Sequence, residues 1–90
     1  MSHPVSIEEF LASIRELTGG RPDGVDDVVV HVELEELGMD SLDLVQIAQL
    51  VIFLAPELEF DQVVADGLPK STIGEMHHLV AATQERRELP

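Results

Sequence analysis

The chain has 90 residues, of which five are Lys or Arg and eighteen are Asp or Glu, so its formal net charge is -13. This length suits one small domain over residues 1–90, and the acidity argues against binding to nucleic acid or to an anionic membrane surface. The absence of cysteine excludes a disulfide framework and thiol chemistry supplied by the protein. Because 44% of the residues are hydrophobic, we expect an ordered, aliphatic core over about residues 6–87 and basic proteins as partners.

The start of the chain and its apolar segments bear on where the protein works. The first residues lack the basic region and the apolar run of a signal peptide. The longest apolar stretch, Leu50–Ala55, is too short to span a bilayer. We therefore expect a monomeric protein of the cytoplasm.

The first predicted element is a helix over residues 6–18. Ser6 and Glu9 have the spacing of a capping box, in which each side chain binds the backbone N–H of the other residue. Apolar residues then recur at the spacing of one helical face: Ile7, Phe10, Leu11, Ile14 and Leu17. Gly19 and Gly20 follow, and glycine readily adopts the left-handed conformation that ends a helix.

A long connection over residues 19–40 comes next. Val28–Val30 could form a strand, but the chain offers no partner strand, so we expect an ordered loop whose valines pack on the core. Leu34 and Leu37, three residues apart, favour a single helical turn. A loop of this length is uncommon in a small domain and is usually functional.

A second long helix is predicted to begin at Asp40 or Ser41 and to end at Ala55, before Pro56. Asp40 suits the N-cap, and an acid in the first turn, Asp43, favours the same start. One apolar stripe comprises Leu44, Ile47, Val51 and Leu54. Further apolar residues lie off that stripe: Leu42, Val45, Ile52 and Phe53. A helix that is apolar nearly all round must bury more than one face.

Two interpretations of the off-stripe residues remain open. Ile52 or Phe53 faces solvent and contacts a partner or a second copy of the chain. Alternatively, a turn of the connection near Val28–Val32 covers both side chains. Full burial of both in a monomer would contradict the first interpretation.

The remaining elements are a short helix and a last long helix. Asp61–Asp66 is predicted as the short helix, ended by Gly67. The last helix begins near Ser71 or Thr72, because Thr72 and Glu75 have capping-box spacing. Its expected inward face comprises Ile73, Met76, Val80 and Thr83. The predicted fold is all-α: a small four-helix bundle of three longer helices and a short third one, with a long loop after the first helix.

No catalytic or metal-binding set is evident in the sequence. His77 and His78 are adjacent, so a helix directs them about 100° apart and they cannot bind one ion from one face. His3 and His31 are isolated. Acids are concentrated between Arg21 and Lys70, an interval without Lys or Arg, and this interval predicts one strongly negative side of the fold.

One motif stands out where the acidic connection meets the second long helix. The segment Leu37-Gly38-Met39-Asp40-Ser41-Leu42, followed by an acid and an apolar helix, resembles the phosphopantetheine attachment site of acyl carrier proteins. The resemblance covers nearly the whole chain, because the helix order, the length and the acidity match as well. Thr72–Glu75 is similar to the start of the last helix in that family.

The resemblance implies a carrier rather than an enzyme, with 4'-phosphopantetheine attached to Ser41 by a magnesium-dependent phosphopantetheinyl transferase that uses coenzyme A. Asp40 is then the helix cap and a contributor near the magnesium of the transferase, and Leu42 belongs to the attachment site. The chemistry of the position agrees, because a helix start favours an anion. Gly38 allows the sharp turn into the helix and leaves room beside the serine.

By the same resemblance, the remaining partners are pathway enzymes: a ketosynthase, an acyltransferase or an acyl-activating ligase, and others. The expected docking residues are Leu42, Asp43, Val45, Gln46, Gln49, Glu35 and Glu36. Fatty-acid carriers of this family have a second helix rich in Glu, whereas this helix carries Gln46 and Gln49. This difference favours a discrete carrier of polyketide or specialised fatty-acyl synthesis.

Two other functions stay open on the sequence. A peptidyl or aminoacyl carrier would use the same attachment chemistry, although Asp40 before the serine favours an acyl carrier. An acidic helical interaction module would never be modified at Ser41. The sequence does not identify the cargo.

Overall fold

The computed structural model describes residues 4–65 and 67–87, without the side chains of residues 62, 64 and 65. Within these described residues, five helices follow one another: α1 (Ile7–Thr18), α2 (Asp26–Val29), α3 (Ser41–Leu54), α4 (Phe60–Ala65) and α5 (Ile73–Arg87). The same part of the chain contains two short 3-10 turns, Leu34–Leu37 and Leu68–Lys70. The predicted all-α bundle is confirmed. His3 and Asp66, the expected last residue of the short helix, lie outside the described residues.

The core forms where α3 packs against α1, α4 and α5. Each long helix buries a stripe of apolar side chains, and the fully buried ones include Phe10, Leu11, Ile14, Ile47, Val51, Ile73 and Val80. The expected inward face of α1 is wrong at one position, because Leu17 is 45% exposed. Thr18 is buried in its place, and its hydroxyl donates to the carbonyl oxygen of Ile14 over 2.8 Å.

The connection between α1 and α3 contains more helix than predicted. The turn at Leu34–Leu37 is confirmed, but Asp26–Val29 forms a further helical turn, α2. Val29 and Val30 are buried, whereas Val28 is 58% exposed, so the expectation that all three valines pack on the core is wrong. Successive residues of a helix point about 100° apart, and three in a row cannot share one face.

Backbone contacts hold this connection against the start of α5. The N–H of Leu34 donates to the carbonyl oxygen of Ser71 over 2.9 Å, and the N–H of Gly74 donates to that of Val30 over 2.9 Å. A Cβ atom at Gly74 would lie 3.0 Å from the Val30 oxygen. This close approach explains why glycine occupies the first turn of a helix, where it is otherwise unfavourable.

The exposures of Ile52 and Phe53 on α3 decide between the two interpretations of its off-stripe residues. Phe53 is 80% exposed, the largest exposed fraction among the exposed large apolar side chains of the described residues. Ile52 is half-buried and packs against the core. The interpretation that one of the two residues faces solvent is therefore confirmed for Phe53.

The last helix begins as its sequence predicts. The N–H of Thr72 donates to Glu75 Oε1 over 3.0 Å, and the N–H of Glu75 donates to Thr72 Oγ1 over 3.1 Å. The predicted inward residues of α5 are all buried: Ile73, Met76, Val80 and Thr83. In the described part of the chain, no helix is both long enough and apolar enough to cross a membrane.

Candidate functional site at the start of α3

A tight turn delivers the chain from the connection into α3. Gly38 ends the turn Leu34–Leu37 in the left-handed conformation, with φ of 77°, which favours glycine because other residues bear a Cβ there. Met39 then inserts its side chain into the core, and Asp40 becomes extended as the N-cap. Ser41 is therefore the first residue of α3 and faces outward.

The first turn of α3 is closed by two aspartates that bind each other's backbone. Asp40 Oδ1 accepts from the N–H of Asp43 over 2.9 Å, and Asp43 Oδ2 accepts from the N–H of Asp40 over 3.3 Å. This reciprocal pair is a capping box with aspartate at both positions. It satisfies two backbone donors that a helix start otherwise leaves unpaired.

Arg21 extends this box across the fold. Its guanidinium donates to Asp43 Oδ1 over 2.6 Å, so the two oxygens of one carboxylate bind the Arg21 side chain and the α3 cap. The Asp43 side chain is only 1% exposed, whereas that of Arg21 is 50% exposed. The hydrogen bond from Arg21 is the main cause that lowers the pKa of Asp43, and the same contact raises the pKa of Arg21.

The residues before α2 are held by two more side chains. Thr18 Oγ1 accepts from the N–H of Arg21 over 3.2 Å, while Arg15 donates to the carbonyl oxygens of Pro22 and Gly24 over 3.0 and 3.1 Å. These bonds fix the backbone from which the Arg21 side chain reaches α3. The end of α1 and the start of α3 are thus joined by one hydrogen-bonded chain.

Ser41 has a free hydroxyl in this rigid setting. Its side chain is exposed and makes no hydrogen bond with any described residue, because the cap is Asp40. By contrast, the hydroxyl of Ser6 accepts from the N–H of Glu9 over 3.1 Å. The N–H groups of Ser41 and Leu42 lack partners four residues back within the helix, so they can face an anion placed on the serine.

The space around Ser41 is open on the side of the turn. A Cβ atom placed on Gly38 would have nothing within 4 Å. Leu42, the next residue along, is 65% exposed, and the Asp40 side chain is exposed as well. A reagent or an enzyme can therefore reach the serine hydroxyl without displacing a packed side chain.

The structure distributes the expected docking residues unevenly. Leu42, Val45 and Gln49 are exposed along α3, and Gln46 is half-buried. Glu35 and Glu36 are exposed on the turn that precedes Gly38. The expectation of an exposed Asp43 is wrong, because its carboxylate is buried against Arg21 and the α3 cap.

Sequence reasoning missed the role of Arg21. The available signal was its position as the last cation before the long interval without Lys or Arg. The sequence does not show which of the many acids becomes buried, so it could not pair Arg21 with Asp43.

The three histidines that the structure describes do not form a second site. His77 Nε2 lies 2.7 Å from the carbonyl oxygen of Val5, and its ring centroid lies 6.0 Å from that of Phe10. His78 and His31 are exposed. Over residues 4–65 and 67–87, no cluster of three or more His, Cys, Asp or Glu side chains could hold a metal ion.

Comparisons of this chain with protein-family models, with curated proteins and with solved structures find no match.

Proposed function

We propose that this protein is an acyl carrier whose Ser41 bears 4'-phosphopantetheine and presents acyl groups as thioesters to biosynthetic enzymes. The observation that carries the proposal is the free, exposed hydroxyl of Ser41 at the first position of α3. A motif that resembles the attachment site of acyl carrier proteins surrounds this hydroxyl. The helix order also agrees with that resemblance.

The chemistry of attachment suits the residues present. Ser41 Oγ forms a phosphodiester by attacking the phosphorus of coenzyme A that bears the pantetheine arm. The bond from that phosphorus to the nucleotide phosphate breaks, and the serine loses its proton. The partial positive charge at the start of α3 stabilises the new anion by about 0.3–1 kcal/mol at an exposed position.

The arm supplies the thiol that this chain lacks, since the chain contains no cysteine. The chain supplies a fixed and exposed attachment point, and its Arg21–Asp43 pair keeps the first turn of α3 in place beneath that point. Reactions of the cargo then belong to the partner enzymes.

We propose that these partners dock around Ser41 on Leu42 and Val45, with Glu35 and Glu36 supplying the negative charge. Acids on the preceding turn attract basic surfaces and mainly raise the association rate. The uncharged Gln49 further along α3 favours enzymes of a polyketide or specialised fatty-acyl pathway over those of a Glu-rich fatty-acid carrier.

The proposal is tested by incubating the protein with coenzyme A, magnesium and a phosphopantetheinyl transferase of broad specificity, followed by intact-mass measurement. We expect one added arm on the wild type and none on Ser41→Ala. Ser13→Ala is the matched control, because Ser13 lies on a neighbouring helix and its substitution should leave the mass gain unchanged. Absence of a mass gain on the wild type, or a gain on Ser41→Ala, contradicts the proposal.

The cargo is tested on protein isolated from its native host. Mass spectrometry of the arm released from Ser41 should show an acyl group. An aminoacyl group would instead assign the chain to peptide synthesis.

A further inference from the structure

A groove runs between α1 and α3 on the outer side of the bundle. It has a volume of about 540 Å³ and is lined by Ser13, Glu16, Leu17, Gln46, Gln49, Leu50 and Phe53. Two large apolar side chains flank it from opposite helices, Leu17 at 45% and Phe53 at 80% exposure. Apolar side chains that converge from two elements on one concave surface are typical of a contact surface, whereas scattered exposed ones are not.

The charge of the groove restricts what can occupy it. Glu16 is its only charged lining residue among those the structure describes, and its side chain is exposed. Neither Arg15 nor Arg21 lines the groove, and both bind other acids, since Arg15 pairs with Asp26 over 2.7 Å and Arg21 pairs with Asp43. The groove therefore presents apolar side chains beside an uncompensated carboxylate.

A second copy of this chain fits the groove poorly. Each copy has a net charge of -13, so bringing two acidic surfaces together is opposed by electrostatic repulsion. A positively charged partner is instead attracted to this acidic surface. Charge complementarity thus selects a basic occupant with an apolar face.

The shape of the groove suits a helix. Its α3 side extends from Gln46 to Phe53, about 10 Å at 1.5 Å per residue, which corresponds to two turns of an occupant. Helices that bind in grooves present apolar side chains at positions i, i+3 or i+4, and i+7. An occupant of this length contacts far fewer residues than a standard protein interface, so the complex is transient.

We infer that the α1–α3 groove binds a short, cationic, amphipathic helix of a partner protein. An apolar side chain of that helix packs between Leu17 and Phe53, and a Lys or Arg faces Glu16. This inference does not depend on modification of Ser41. Ser41 is not among the lining residues of the groove, and Gln46, the lining residue of α3 nearest to it in sequence, follows it by five positions, about 7.5 Å along the helix.

The experiment measures binding of the unmodified Ser41→Ala protein to a fluorescently labelled peptide by fluorescence anisotropy. The peptide is designed as a helix with Leu and Phe on one face and Lys on the other. A second peptide keeps the apolar face and replaces Lys by Glu. We expect the cationic peptide to bind and the anionic peptide to bind at least about tenfold more weakly.

Variants then locate the binding surface. Phe53→Ser should weaken binding of the cationic peptide about thirtyfold, the effect of removing an interface anchor. Val28→Ser is the matched control, because Val28 is also exposed but lies on α2, outside the groove. Glu16→Gln should weaken binding about two- to threefold, whereas Glu8→Gln on the side of α1 that faces α2 should leave it unchanged.

Three results would overturn the inference. One is equal weakening by Phe53→Ser and Val28→Ser, which would indicate non-specific attraction to an acidic protein. Another is concentration-dependent dimerisation in sedimentation that Phe53→Ser abolishes, which would assign the groove to a second copy. The third is loss of peptide binding when the wild type is acylated on Ser41, which would assign the groove to the cargo. The mass assay on Ser41 tests the carrier function separately, so the two proposals can fail independently.

Discussion

The starts of α1 and α3 have the same hydrogen-bond pattern in different surroundings. Ser6 and Glu9 exchange bonds at the start of α1, where both side-chain contacts are exposed to solvent. Asp40 and Asp43 exchange the same bonds at the start of α3, but there the Asp43 side chain is 1% exposed and also bound to Arg21. The box of α1 only caps its own helix. The box of α3 also binds Arg21, which lies 22 positions before Asp43 in the chain.

This difference shows where the fold requires rigidity. The capping box of α1 is exposed, and α1 is also held at its start by Val5, whose N–H donates to Gln84 Oε1 of α5 over 2.9 Å, so the position of α1 does not depend on its cap alone. The start of α3 carries the proposed attachment residue, and its position is fixed from the connection through Arg21. A carrier needs this property, since partner enzymes must find the serine in one place.

The largest expected effect is the loss of the buried carboxylate. Asp43→Ala should lower the free energy of unfolding by about 3 kcal/mol, because the cap and the contact with Arg21 disappear together inside the fold. Glu9→Ala is the matched variant at the exposed box and should cost much less. Chemical denaturation of both variants measures the comparison.

Equal losses for these two variants would show that the buried box has no special role. Arg21→Gln adds a second check, because it removes the cation and leaves the cap. We expect it to be less stable than the wild type, since the Asp43 carboxylate then stays buried without its charged partner.

Acid should weaken the α3 box. The hydrogen bond from Arg21 lowers the pKa of Asp43 in the folded protein, so the folded state binds fewer protons than the unfolded state in that range. This stabilisation is fully present above the unfolded pKa, about 4 for aspartate, and is lost as the pH falls through the folded value. The stability difference between the wild type and Asp43→Asn should therefore shrink below about pH 4.

Hydrogen bonds with Ser6 lower the pKa of Glu9. The difference in unfolding free energy between the wild type and Glu9→Gln should therefore also shrink in acid. This decrease should be smaller, because the Glu9 contact is exposed and solvent screens it. A constant difference between the wild type and Asp43→Asn across pH 2–7 would contradict the prediction for the buried box.

A third capping box, formed by Thr72 and Glu75 at the start of α5, has Gly74 between its two members. Gly74→Ala should destabilise the protein by about 1 kcal/mol, because its Cβ would lie 3.0 Å from the Val30 oxygen. Helix propensity alone predicts the opposite, a gain of about 1 kcal/mol. If thermal or chemical unfolding shows that Gly74→Ala is more stable than the wild type, the backbone at Val30 moves away from the added Cβ atom at little cost in free energy.

The smallest expected effect concerns the proposed attachment residue. Ser41→Ala should change the free energy of unfolding by less than about 0.5 kcal/mol, as exposed substitutions usually do. Ser6→Ala should cost about 1 kcal/mol, because Ser6 is the cap of its helix. A loss for Ser41→Ala as large as that for Ser6→Ala, measured by denaturation, would show that Ser41 is a structural residue.

Local patterns in the sequence determine much of this protein. Three capping boxes at three-residue spacing place the starts of α1, α3 and α5, because the bonds that close them lie within single turns. Gly19 ends α1 in the left-handed conformation for a similarly local reason. The position of Ser41 at the start of α3 was predictable on the same grounds.

Only the tertiary structure decides which members of these patterns are buried. Asp43 has the same local pattern as Glu9, yet it lies inside because the connection returns Arg21 to it from 22 positions earlier. Leu17 fits the apolar face of α1 and nevertheless stays exposed beside Phe53. Burial depends on how helices pack across long separations, and neither spacing nor composition contains that information.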